Sequence, residues 1–143
     1  METNSNITIA DSSALISLSI ITDTNHSAAK KILENVSSLD YTIIIPAEIF
    51  SETVNILGKK FGHKKSVESI ELFLGSSLFI VIPTTDTTRR DALYSYMNHS
   101  SGVSYTDCLV MAVADFHNTT SVFGFDEIFK RNGYSLPTFS SKT

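Results

Sequence analysis

Apolar positions along this chain fall into two kinds of block. Short uninterrupted runs sit at 7–10 (Ile7-Thr8-Ile9-Ala10), 41–45, 78–82 and 121–125. Between them, apolar residues recur at spacings of three and four. Runs without period-two alternation predict strands buried on both faces, and the three-to-four spacing predicts amphipathic helices. The first helix enters at Ser12 and turns Ala14, Leu15 and Leu18 inward. A second spans 26–36, with Asn25 placed as its cap. Pro46 stands where a helix accepts proline, in its first turn. Beyond it Phe50, Val54, Leu57 and Phe61 predict a core face. After the turn at Gly62, Val67, Ile70 and Leu74 form the next stripe. Helices over 85–98 (Ala92, Leu93 and Tyr96 inward) and 104–117 (Leu109, Val110, Val113 and Ala114 inward) follow. Residues 134–139, containing Pro137, read as an edge strand. Strands alternating with helices predict an α/β fold: a three-layer α/β/α sandwich around a central, mainly parallel sheet of four to five strands.

Size and composition narrow the class. A chain of 143 residues, 42% hydrophobic, suits a single domain over 1–143 with its core at about 7–139. It can bury roughly 70% of its unfolded surface without staples. A lone Cys108 forms no intrachain disulfide, and no Cys/His array has zinc spacing. The first six residues are polar and carry no Lys or Arg, unlike a secretory leader. No apolar run approaches the roughly 20 residues that cross a bilayer. The expectation is a soluble protein of the reducing cytoplasm, with no membrane contact.

Net charge is −4, which argues against a binder that works by neutralising phosphates over a broad basic surface. It leaves room for an acidic pocket that holds cations. The densest basic stretch is Lys59, Lys60, Lys64 and Lys65, either a solvated turn between helices or an RNA contact.

Two acids follow strands, Asp11 and Asp126, where open parallel sheets bind ligands. Both also suit helix caps. Asp107 lies three residues after Ser104, the spacing of a capping box. Glu52 shares a helix flank with Glu48 and Asn55, away from the apolar stripe. Hard divalent ions prefer oxygen donors, and Mg²⁺ takes one or two carboxylates with waters and substrate phosphate. Spacing alone leaves open whether these acids meet.

The motifs in order carry a resemblance. Asp11-Ser12-Ser13 after a strand, Pro46 followed by Glu52 and Asn55, Ser104-x-x-Asp107 opening a helix, and Val122-Phe123-Gly124-Phe125-Asp126-x-x-Phe129 resemble the four motifs of PIN-domain nucleases, over about 7–136. The short chain resembles the VapC-type toxin branch. The resemblance implies Mg²⁺- or Mn²⁺-dependent hydrolysis of RNA phosphodiesters. Asp11, Glu52, Asp107 and Asp126 would be the metal-binding catalytic acids, and Ser13 and Thr106 supporting hydroxyls. It also implies a homodimer and a cognate antitoxin. Family members often carry Thr or Ser where this chain has Gly124, a loss that Thr106 or Ser13 could make good. Glu48 competes with Glu52 for the helix acid, and the spacing from Pro46 favours Glu52. The histidines His26, His63, His99 and His117 read as surface residues, and Cys108 as core filler. Alternatives are a PIN domain that processes RNA, one that binds partners without turnover, and a phosphoacceptor receiver domain. The receiver reading wants an acidic pair near the first strand's end, and this chain has one acid there.

Overall fold

A computed structural model describes residues 6–139. Met1 to Ser5, most of the segment read above as unlike a leader, lie outside the described residues. Four strands, β1 (Ile7–Ala10), β2 (Thr42–Pro46), β3 (Phe79–Ile82) and β4 (Val122–Phe123), form one sheet in the order β3-β2-β1-β4. Every pairing is parallel, with Ile9 opposite both Ile44 and Val122. Seven helices connect and flank it: α1 (Ser12–Ser19), α2 (His26–Ser38), α3 (Ala47–Phe61), α4 (His63–Gly75), α5 (Asp86–Asn98), α6 (Tyr105–Phe116) and α7 (Glu127–Arg131). Right-handed crossovers between parallel strands put α1 to α4 on one face and α5 and α6 on the other. The expected three-layer α/β sandwich is what forms.

The runs of β1, β2 and β4 are continuous in sequence because both faces are covered: Ile9, Ile43, Ile45, Val122 and Phe123 are all at most 1% exposed. The edge strand β3, expected to be buried too, leaves Ile80 45% exposed. Direction along the sheet reverses between β1 and β4. The chain steps from β1 outward to β2 and β3, then returns across the sheet to β4. Such a switch point opens a crevice at the carboxyl ends of the two strands, and Asp11 and Asp126 follow those strands.

Three expectations are corrected. The fifth strand over 134–139 does not form; only Ser135 bridges to Ser121, with Val122 N–H donating to Ser135 O at 2.8 Å and Ser135 N–H to Thr120 O at 3.0 Å. Pro137, two residues on, has no N–H to extend the ladder. The core face of α3 is Ile49, Thr53 and Leu57, while Phe61 is 44% exposed. On α4 and α5 the inward residues are Ser66, Ser69, Phe73, Thr88 and Ala92; Leu74, Leu93 and Tyr96 face outward. Gly62, at φ 96°, takes the left-handed turn between α3 and α4, which a side chain would strain.

Candidate active site

Asp11 leaves β1 in extended backbone and caps α1. Its own N–H donates to Phe123 O at 2.9 Å, so the ends of β1 and β4 are tied at this residue. The carboxylate accepts from Ser13 Oγ at 2.9 Å and from Ser13 N–H at 3.4 Å. Ser13 Oγ in turn accepts from Phe125 N–H at 3.2 Å. One hydroxyl thus links the first acid to the loop that carries the fourth.

Asp11 is 6% exposed. Burial pushes its carboxyl up to about 6; the Ser13 bonds pull it down in part, and the charge of Asp107 raises it further. Asp107 is therefore the acid the fold brings up to Asp11. It sits in the first turn of α6, where its carboxylate accepts from Ser104 N–H at 3.1 Å while Ser104 Oγ accepts from Asp107 N–H at 3.0 Å. The capping box and the candidate site share this residue.

The other two acids come from the α7 cap and from α3. Asp126 is exposed and spends Oδ1 on the N-terminus of α7, accepting from Ile128 N–H at 3.0 Å. Glu52 is half-buried on α3, one turn beyond Glu48. Glu48 accepts from Thr84 Oγ1 at 2.9 Å. The Thr106 hydroxyl lies 3.1 Å from Ser104 Oγ. Among the described residues, no three of His, Cys, Asp or Glu gather tightly enough to form a ready-made metal cage.

A hard divalent ion still fits the donor set. Asp11 and Asp107 offer two neighbouring carboxylates, one of them desolvated, which is the number Mg²⁺ commonly takes before completing its shell with water. Two acids held this close repel until a cation or a proton offsets them.

Gly124 explains the departure from the family pattern. A Cβ there would lie 2.8 Å from Asp11 Cβ and 2.9 Å from Phe129 Cε2. The β4 loop packs against Asp11 too closely for Thr or Ser, and Ser13 supplies the hydroxyl from the other side. Sequence reading missed these backbone contributions from Phe123 and Phe125; the glycine in place of a hydroxyl residue was their one visible sign. Cys108 is fully buried, as its core role required, and burial raises its thiol pKa.

The family model of the PIN domain matches residues 8–133, a stretch that contains all four acids. The chain belongs to the PIN domain family. The α/β fold and the nuclease class implied by the motif order stand with that membership. No curated protein matches the sequence. Among solved structures, this PIN domain is similar to Mycobacterium tuberculosis VapC20, a toxin that cleaves the sarcin-ricin loop. The two share 22% identity with a TM-score of 0.79, over 90% of this chain and 96% of that one. At that identity the likeness is one of fold.

Proposed function

We propose that this PIN domain is a ribonuclease that hydrolyses RNA phosphodiester bonds with Mg²⁺ or Mn²⁺ and acts as the toxin of a toxin–antitoxin module. The observation that carries the reading is Asp11: a buried carboxylate at the sheet's switch point, held by Ser13 and facing the charge of Asp107. Asp11 and Asp107 would hold the ion, with Glu52 from α3 and Asp126 from the α7 cap reached directly or through water. When bound, such an ion acidifies water and offsets charge on the scissile phosphate. Ser13 fixes the carboxylate's orientation by donating to it, which leaves the outer oxygen edges free for a cation. The Ser104 cap does the same for Asp107.

The toxin role rests on the fold shared with VapC20. A cognate antitoxin would restrain it, and a basic antitoxin side chain can occupy the carboxylates in place of the ion's charge. A homodimer working in the cytoplasm belongs to the same reading. No helix among the described residues is long and apolar enough to cross a membrane.

The test is incubation with labelled RNA in Mn²⁺ and in EDTA. Cleavage should appear only with metal and vanish in Asp11→Asn and in Glu52→Gln. Metal should raise the melting temperature of the native chain and leave Asp11→Asn unmoved. Metal-stabilised protein that cuts no RNA would point instead to a PIN module that binds without turnover.

A further inference from the structure

Glu48 lies in the first turn of α3, one turn before Glu52, and Tyr105 opens α6, two residues before Asp107. Both helices start at the carboxyl edge of the sheet, so both residues border the candidate active site. Thr84 Oγ1 fixes the Glu48 carboxylate at 2.9 Å. The Tyr105 phenol is raised first by burial and then by Glu48, and lowered by Arg89, so one charge of each sign stands near the ring. Tyr96 meets Tyr105 edge-on, with centroids 6.5 Å apart and planes at 87°. Tyr96 is 47% exposed. Arg89 is also exposed and touches Asp86 through one terminal nitrogen. Tyr105 rests one side on the edge of the core, while Tyr96, Glu48 and Arg89 belong to neither the core nor the metal chemistry.

We propose that Tyr105, Tyr96, Glu48 and Arg89 form a nucleobase subsite beside the carboxylates, selective for guanine in the RNA strand. The proposal rests on the ribonuclease reading. An edge-on aromatic pair leaves ring faces open, and single-stranded RNA is held by stacking splayed bases on such faces. A carboxylate only accepts hydrogen bonds. Guanine presents two adjacent donors, N1–H and the N2 amine, on its Watson–Crick edge. Uracil presents one, flanked by two carbonyl oxygens that repel the acid. Thr84 occupies one acceptor position on Oε1, and a carboxylate has about four, so Glu48 keeps capacity for both guanine donors. Arg89 keeps donors beyond the one given to Asp86 and can meet the adjoining phosphate.

The experiment is fluorescence anisotropy with labelled pentauridylate carrying uridine, guanosine or inosine at the centre. Using the full native chain in EDTA removes metal-dependent cleavage from the measurement. Guanosine should bind roughly tenfold or more tighter than uridine, the discrimination of a good bidentate contact. Inosine, which lacks the N2 amine, should fall between. Glu48→Ala should bring the guanosine-to-inosine ratio close to one. Tyr105→Ala should weaken all three alike, and Tyr105→Phe should restore them. Equal affinity for the three probes, or a ratio that survives in a folded Glu48→Ala protein, would overturn the subsite. The Mn²⁺ cleavage assay decides the ribonuclease reading separately. Cleavage without guanine selectivity removes the subsite alone; guanine-selective binding without cleavage keeps the subsite and removes the nuclease.

Discussion

Asp11 is a carboxyl that folding makes harder to ionise, and that has a measurable sign. Its pKa is 3.8 before folding and about 6 after. Between those values the unfolded chain releases its proton while the folded chain keeps it. Stability is therefore full below pH 4, falls as pH rises towards 6, and stays reduced above. About two units correspond to about 3 kcal/mol at the limit. In EDTA, Asp11→Asn should match the native chain near pH 4 and exceed its stability at pH 8 by an amount of that order. Denaturant melts across pH measure this, and a gap that does not widen with pH would remove the desolvated carboxyl from the account. Added metal should reverse the order at pH 8, because only the aspartate gains from it. Asp11 was legible in the sequence as an acid after a strand. Its environment was not, because Phe123, Gly124 and Phe125 act through backbone atoms and close approach, which residue letters do not record.

At the scale of elements, strands were legible and helix faces less so. Four apolar runs became four strands, although only β1, β2 and β4 are covered on both faces; β3, at the sheet edge, leaves Ile80 45% exposed. On α3 and α4 the inward positions are partly hydroxyl residues: Thr53 donates to Ile49 O at 2.8 Å, Ser69 to Lys65 O at 3.0 Å and Ser66 to Val54 O at 3.1 Å. A hydroxyl that bonds backbone can be buried at little cost, so a polar letter concealed the core side and the stripe was read about one position off. The two helices face each other here, and a Cβ placed on Gly58 would lie 4.0 Å from the Ser66 side chain, an ordinary contact. The cap of α6 gives this scale its prediction. Ser104→Ala should destabilise the fold by about 1 kcal/mol and weaken Mn²⁺ binding, because Asp107 loses the hydroxyl that completes its box. Thermal melts with and without metal separate the two effects; an unchanged metal response would show that the cap only holds the helix.

Across the whole molecule, Asp11 and Asp126 follow the carboxyl ends of β1 and β4, and the densest lysines lie elsewhere. Lys59 and Lys60 end α3 and Lys64 and Lys65 begin α4, and Lys60 lies roughly 18 Å along the helix axis from Glu48 at 1.5 Å per residue. Lys65 is 3.8 Å from Glu68. From that distance the lysines would act on RNA through their field. Changing all four to Ala should lower kcat/KM at low ionic strength and flatten its salt dependence, with the difference fading as salt screens the field. A native salt slope in the quadruple variant would assign them to solvent or to an antitoxin. The same view of the molecule bears on how it is made. Ser13 meets Phe125 across 112 positions of chain, and Asp11 leans on Phe123 and Gly124. A ribosome must add more than a hundred residues after Asp11 before that acid acquires its mates. Domains emerge amino-terminal part first, so a nascent chain displays Asp11 long before it can cut anything. The site is thus completed only when the last strand of the described fold has been made.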